Sequence, residues 1–402
     1  MIMQNLPLAG VRILDMATVL AAPFSATLCA DMGADVVKLE LPDGNDTLRT
    51  LAPVHEEHAI FWKTANRGKK GISLDVRQAE GCKLFLELIQ GFDVLVENFR
   101  TGTLDRWGLD IATLHRHNPR LIVLRVTGYG QTGPLARKPG FARIFEAMSG
   151  FAHLIGETDG PPQHMNYPLG DVMTGVFGAF AITTALIGRN SKPVEEQRGT
   201  EIDLSATEAM LRLLDALPAE YALSGIPRNR AGSRATYTAP SNVYKTSDGI
   251  WVTVVSSGNA IFKRLTSAMQ MPELATDPRF SNNLQRMANL EVLDGIITDW
   301  CGAQTLQQLA ERLDSMDVPY TKVYSIADVM EDAHLQERQA IIELQDPVLG
   351  PLPAPAPVPR FAGQKTPTPT VGPSTGQHNS EIFGKLGLTD GEMQSLKSRG
   401  VI

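Results

Sequence analysis

The residues in this chain whose types and spacing could do chemistry are one aspartate, one glycine-rich turn and a set of arginines. Asp171 follows Gly170 and precedes a run over 172–189 rich in Gly, Ala and Thr. By residue type alone it reads first as a helix N-cap, a common role for an Asp so placed. Its chemical alternative is nucleophilic. A carboxylate of reference pKa about 3.9 is ionised at neutral pH but attacks weakly in water. It becomes a useful nucleophile when positioned and partly desolvated. Gly128-Tyr-Gly-Gln-Thr-Gly133 matches G-x-G-x-x-G and follows a strand-like run. Pro134 comes next and no apolar helix opens there, so a glycine-rich surface loop is favoured over a dinucleotide site. Arg77, Arg100 and Arg106 suit bidentate phosphate contact, although a lone Arg is ordinarily a solvated surface charge. Arg143, Arg228, Arg230 and Arg234 are candidates to clamp a carboxylate. The eight histidines lack zincin spacing. The cysteines, Cys29, Cys82 and Cys301, form no CxxC pair, so neither a metal site nor a disulfide framework is expected.

Positioning such groups needs a large fold, and 402 residues suffice for more than one domain. The hydrophobic share is 43% and the net charge −7, ordinary for a globular enzyme and unlike the basic stripe of a nucleic-acid binder. The N-terminus shows no basic stretch ahead of an apolar run, and the apolar stretch 176–187 is shorter than a membrane span needs. A cytoplasmic enzyme without membrane or nucleic-acid partners is expected. Strands are predicted at 11–16, 35–40, 71–76, 93–97 and 121–126, with helices at 23–32 and 78–91 between them. That alternation predicts a mostly parallel sheet with helices on both faces, and ligands bind beyond the carboxyl ends of such strands. Helices are further predicted over 172–189, from about 205 onward as a long helix, over 305–316 and over 379–398. A short strand is expected at 198–203, and a hairpin at 242–255 turning on Ser247-Asp248-Gly249. The Pro-rich stretch 347–373 reads as an extended surface segment rather than a packed element.

Taken in order, several motifs resemble the class III CoA-transferases, the CaiB/BaiF-like family of formyl-CoA transferase and carnitine CoA-transferase. They are Gly10-Val-Arg-Ile-Leu-Asp15 with Ala22-Pro23, Gly33-Ala-Asp-Val-Val-Lys-Leu-Glu40, and Asn66-Arg-Gly-Lys-Lys-Gly-Ile-Ser-Leu-Asp75. Asp93-Val-Leu-Val-Glu-Asn-Phe99, Leu104-Asp-Arg-Trp-Gly108 and the glycine turn at 128–134 continue the series. Ala147-Met-Ser-Gly150, Asp159-Gly-Pro-Pro162, Gly170-Asp171 and Gly372-Pro-Ser-Thr-Gly-Gln-His378 complete it. Each motif is weak alone; the ordered series spans nearly the whole chain.

The resemblance implies an α/β fold with a Rossmann-like large domain, a smaller α+β domain and an interlocked homodimer. It divides the chain into 1–200, a small domain at 225–325, and a return over 330–402 that completes the large domain. It implies transfer of CoA from an acyl-CoA donor, such as succinyl-CoA, to a free carboxylic acid. Coenzyme A is then a substrate, and no tightly bound cofactor is expected. It places the covalent nucleophile at Asp171, reversing the cap reading without excluding it. It places the CoA site at Leu20, Ala21, Leu74, Asp75, Val76, Arg77, Asn98, Phe99, Arg100 and Arg106. Arg143, Arg234 and Tyr237 become acid-binding candidates, with a structural salt bridge the alternative for Arg143. The chain departs from the family where Leu20 replaces a glutamine and Ala235-Thr-Tyr-Thr-Ala-Pro240 stands in for a mobile glycine run. An acyl-CoA racemase of the same fold needs an acid and base pair for proton exchange. Gly140-Phe141-Ala142 stands where such relatives carry Gly-His-Asp, so the racemase ranks below the transferase. A non-catalytic CoA-binding protein is the third reading.

Overall fold

The structure is a computed structural model that describes residues 6–44, 46–364 and 366–402. The chain forms two compact units, and each has its own core. Of the described residues, the first comprises those within 6–151, 164–219 and 337–402, and the second 152–163 and 220–336. The second therefore runs wider than the 225–325 read from sequence and takes in a separate segment; residues 1–5, at the start of the expected large domain, lie outside the described residues.

The first unit is built on a parallel sheet of β1 (Arg12–Asp15), β2 (Asp35–Glu40), β3 (Lys69–Ser73), β4 (Val94–Glu97), β5 (Ile122–Thr127) and β6 (Glu201–Ser205). The order across the sheet is β3-β2-β1-β4-β5-β6. The register runs through Ile13↔Val36, Ile13↔Val94 and Val94↔Ile122. Successive side chains on a strand point to opposite faces. Leu14, Leu95 and Val123 accordingly pack on one face with Leu84, Phe85 and Phe383. Ile13, Val94, Val96 and Leu124 pack on the other with Ala22, Ala26 and Ile182. The strands are apolar on both sides because helices cover both sides.

Helix α1 (Ala21–Asp31) leaves β1, and α2 (Ala79–Leu88) leaves β3. Helices α3 (Ala142–Met148) and α4 (Leu169–Asn190) precede β6, and α5 (Ala206–Arg212) follows it. The 22-residue α4 exceeds the 12-residue apolar run read from sequence and is long and apolar enough to cross a membrane. Here it is a packing layer against α1. A Cβ on Gly178 would lie 2.1 Å from Ser25 Oγ, and one on Gly175 2.9 Å from Ala21 O, so the two backbones approach as only glycine permits.

The sequence reading needs two corrections here. The long helix expected from 205 stops at Arg212, and a separate helix, Leu217–Ser224, follows. Pro218 has no N–H to return to residue 214, which prevents a continuous helix. The Pro-rich stretch is partly a strand: Gly350–Pro355 pairs antiparallel with Ile341–Asp346. Pro351, Pro353 and Pro355 alternate along it, so the missing donors all fall on one side of an edge strand. Lys365 in that stretch lies outside the described residues.

The C-terminal segment closes the sheet edge. The N–H groups of Gly71 and Ser73 donate to His378 Nδ1 and Asn379 Oδ1, each at 2.9 Å. Trp62 Nε1 donates to Pro373 O at 2.8 Å. The motif 372–378 thus covers the exposed side of β3, whose unpaired groups would otherwise invite another strand.

The second unit holds an antiparallel three-stranded sheet: Ser241–Lys245, Trp251–Val255 and Tyr320–Lys322. Gly249 adopts φ +83 in the hairpin turn. Tyr244, Val252 and Val254 pack against Phe262, Leu293, Ile297 and Leu309 from its helices.

Gly178→Val is expected to force α4 from α1 and to cost about 1–3 kcal/mol, as overpacking does. Chemical denaturation would show a lower midpoint, whereas the same change at Gly188, where a Cβ meets open space, should cost far less.

Candidate active site

In the order β3-β2-β1-β4-β5-β6 the connections reverse direction between β1 and β4. Sheets of this kind bind ligands in the crevice at that reversal, beyond the carboxyl ends of the strands. A cavity of about 410 Å³ lies there. Thr18, Val19, Leu20 and Ala21 line it from the end of β1. Asn98, Phe99 and Arg100 line it from the end of β4, and Gly128 from the end of β5. The loop before α3 adds Lys138 and Phe141, and α4 adds Asp171.

The β1 loop is held from several sides. Asn98 Oδ1 accepts from Thr18 N at 2.8 Å, and Asn98 Nδ2 donates to Thr18 O at 2.7 Å. Val19 has φ +64, an uncommon conformation for a β-branched residue. Asp46 holds it there, its Oδ1 accepting from Val19 N at 3.0 Å. Beneath, buried Lys38 donates to Ala17 O, and Lys69 Nζ lies 2.8 Å from Asp15 Oδ2. Burial pulls the Lys69 ammonium down to about 8, against the pull of Asp15.

Asp171 is the third residue of α4, and Pro168 is the N-cap. The capping role is therefore not the one this aspartate has: the N-cap position belongs to Pro168, which offers no side-chain cap bond. Among the described residues its carboxylate accepts no hydrogen bond and makes no ion pair. Burial, with Glu146 as a second cause, raises its pKa from 3.8 to about 6.

The cavity brings Leu20, Ala21, Asn98, Phe99 and Arg100 together with Asp171. Val76 lines a smaller cavity of about 70 Å³ that shares Thr18 and Phe99 with the first. Leu74 is fully buried in the core. Asp75 accepts from Arg77 Nε at 2.7 Å, and this bond holds the carboxyl below its usual range. Arg106 turns back onto Gly102 O and Thr103 Oγ1 of its own helix. Arg143 is exposed on α3, is not among the residues that line the cavity, and has no salt bridge among the described residues.

The remaining arginines have partners inside the second unit. Arg228 pairs with Glu220, and Arg234 Nε lies 3.2 Å from Asp294 Oδ2. Arg230 Nη1 donates to His153 O at 3.1 Å. Tyr237 is exposed in that unit, 5.8 Å beneath the Arg228 guanidinium.

Sequence reasoning missed Thr18, Lys138 and Phe141 on the wall, and Glu146 and His164 behind Asp171. No local motif marks them except Phe141, which stands at the Gly-His-Asp position of the racemase relatives and was weighed there only against proton exchange. The glycine turn at 128–133 does contribute, because Gly128 reaches the cavity. A Cβ there would lie 2.3 Å from Phe145 Cε1, so its glycine serves packing of the wall.

The profile of CoA-transferase family III matches residues 8–379. The chain belongs to that family. This CoA-transferase is 38% identical to the succinyl-CoA–D-citramalate CoA-transferase of Chloroflexus aurantiacus over 98% of both chains. It is also 38% identical to the beta subunit of the succinyl-CoA–L-malate CoA-transferase of the same organism, over 99% of this chain and 98% of that one. The succinate–glutarate CoA-transferase of Agrobacterium fabrum is 33% identical over 84% of this chain and 85% of its own. Among solved structures, a CaiB/BaiF family protein from Brucella suis superposes with a TM-score of 0.82. It is 31% identical and covers 95% of this chain and 100% of its own.

The raised pKa of Asp171 has a cost in stability. A carboxylate less acidic in the folded than in the unfolded state destabilises the fold wherever it is ionised in both. The penalty is full above about pH 6 and vanishes below 3.8. Asp171→Asn should therefore be more stable than the parent at pH 8, by on the order of 1–3 kcal/mol. Thermal melts at pH 8 and pH 4 would show that gap closing in acid.

Proposed function

We propose that this transferase takes CoA from succinyl-CoA and delivers it to a small dicarboxylic acid, with Asp171 as covalent nucleophile. The observation that carries the reading is a carboxylate without a partner among the described residues, Asp171, lining the cavity at the strand-order reversal. The names of the relatives support the donor, and their acceptors are all small acids with two carboxyl groups.

The chemistry runs through balanced steps. An Asp171 oxygen attacks the thioester carbonyl of succinyl-CoA; the C–S bond breaks and CoA thiolate leaves, forming a mixed anhydride. The thiolate attacks the aspartyl carbonyl, succinate leaves, and Asp171 becomes a CoA thioester. The acceptor carboxylate attacks that thioester, again expelling thiolate and forming a second anhydride. The thiolate then attacks the acceptor's acyl carbon, giving the new CoA ester and free Asp171 carboxylate. Every intermediate is a thioester or an anhydride and the overall exchange trades one thioester for another, so no nucleoside triphosphate is consumed.

CoA is assigned to the walls already described. Leu20 and Ala21 flank the thiol end, where the N-terminus of α1 supplies backbone N–H donors of the kind that stabilise an oxyanion. Asn98 keeps that loop in place while Phe99 and Arg100 border the arm. Residues 74–77 and Arg106 serve the adenosine and phosphate end; fully buried Leu74 contributes through its backbone. Arg143 anchors the free carboxylate of the acid, and Lys138 joins Arg100 as a cation on the cavity wall. The expected roles of Arg234 and Tyr237 in acid binding rest on residue type and place in the sequence, and Arg234 already pairs with Asp294.

Two chains are proposed to associate as an interlocked homodimer. Val176, Phe180 and Ile187 form an exposed apolar stripe on α4, with Phe180 67% and Ile187 72% accessible. Residues spaced this way on one helix face ordinarily seek a partner surface. Light scattering is expected to report the mass of two chains.

The deciding assay is incubation with succinyl-CoA and a panel of free acids, with CoA esters followed by mass spectrometry. Dicarboxylic acids should be converted in preference to monocarboxylic acids. Asp171→Ala should lose on the order of a thousandfold or more in turnover while staying folded. An active, folded Asp171→Ala enzyme would remove this mechanism. Because the nucleophile must be ionised, turnover should fall with a midpoint near pH 6 as the medium is acidified.

A further inference from the structure

We propose that Glu146, held by His164, is a positioning residue that seats the Asp171 carboxylate and keeps it reactive. The inference rests on the nucleophilic role given to Asp171 above. Glu146 lies on α3, is 2% exposed and does not line the cavity, so it cannot itself meet substrate there. Its two oxygens are both engaged. Oε1 accepts from the backbone N–H of Gly170 at 2.9 Å. Oε2 lies 2.7 Å from His164 Nδ1, and a carboxylate only accepts, so the imidazole donates.

Gly170 is the residue before Asp171, and its N–H is one of the groups a helix leaves without an internal partner. A carboxylate in the first turn of a helix is drawn to these donors and to the positive end of the helix dipole. Glu146 occupies that donor from a neighbouring helix. Asp171 is thereby not drawn into capping its own helix end, and its oxygens stay turned to the cavity. Gly170 permits the approach: a Cβ there would sit 3.2 Å from Glu146 Oε1 and 3.1 Å from Ala142 O.

The second effect is electrostatic. Two carboxylates close together disfavour each other's ionised form, and the one that stays ionised is the more basic nucleophile. The other charged groups on the packed elements are engaged or turned outward. On α5, Glu208 is exposed and Arg212 pairs with Asp215. On β5, Arg125 bridges Glu97 and Glu201, and Asp203 on β6 accepts from Gln131 N. Arg189, far along α4, pairs with Asp93. On α1, Asp31 pairs with Arg67 and the Cys29 thiol is held protonated, pushed up to about 12. Arg143 on α3 is exposed, as are Arg100 and Lys138 on the cavity wall. The Tyr167 hydroxyl is raised by burial and stays neutral.

Glu146→Gln separates the two effects, because the amide oxygen still accepts from Gly170 while the charge is gone. Asp171 is titrated by carbon-13 NMR of Asp-labelled protein, its signal assigned by loss in Asp171→Asn, and the pH dependence of kcat is measured alongside. In Glu146→Gln the Asp171 midpoint should fall by about half a pH unit or more. The acidic limb of kcat should move down with it, and kcat near neutrality should drop severalfold with KM little changed. Glu146→Leu, which also removes the acceptor, should lose about tenfold or more in kcat, partly restored by glutamine at the same site. An Asp171 midpoint and pH profile identical in the parent and Glu146→Gln would overturn the proposal. If the parent made no CoA ester from any donor, the nucleophilic reading would fail separately, and the NMR titration would still decide whether Glu146 acts on Asp171.

Discussion

The close contact between α1 and α4 is the constraint on which the site depends. Both helices lie on one face of the sheet, and Gly175 and Gly178 let their backbones approach to where a side chain would overlap Ser25 and Ala21. Each begins at the carboxyl edge of the strands, so the contact brings two helix N-termini to the same cavity. One is the start of α1, with Leu20 and Ala21; the other is the start of α4, with Asp171. Donors suited to an oxyanion and the proposed nucleophile thus share a wall because two helices lack side chains at their crossing. A wider crossing would leave both ends intact and separate them.

Around that contact the polar groups are divided by purpose. Those that hold the loops are buried and paired: Asp46 with Val19 N, Asn98 with Thr18, and Lys69 with Asp15. Such groups repay their desolvation only through complete hydrogen bonding. Asp171 differs from them: it is half-buried and, among the described residues, its carboxylate has no partner. Its destabilisation fits the nucleophilic role proposed for it, since a carboxylate fully satisfied by its own protein has little reason to attack a carbonyl. The fold carries the strain elsewhere as well, in the left-handed Val19 at the cavity wall.

The two-sided sheet was legible in the sequence because its signals are local. Runs such as Asp35–Glu40 are apolar enough to be buried on both faces, and the helices between them repeat at helical spacing. The Gly350–Pro355 strand was hidden because proline argues against a strand, and only pairing with Ile341–Asp346 reveals that the missing donors face away. The break after Arg212 turned on Pro218, a local signal outweighed by the apolar run around it. Of the cavity wall, residues 20–21, 98–100 and 171 were named from the sequence because they lie in or beside the ordered motifs. Lys138, Glu146 and His164 belong to no motif and come together only through folding.

The sequence by itself determined the family, the alternation of strands and helices, and the carboxylate proposed as the nucleophile. These depend on residue type and short-range order, which a linear reading preserves. Only the tertiary structure decided that Asp171 is not a cap and that Glu146 from another helix takes the donor beside it. It also turned Arg228 and Arg234 toward Glu220 and Asp294, carboxylates within their own unit. Those outcomes rest on distances between residues far apart in the chain, and on which side of a neighbour each side chain meets. Spacing along the backbone carries neither.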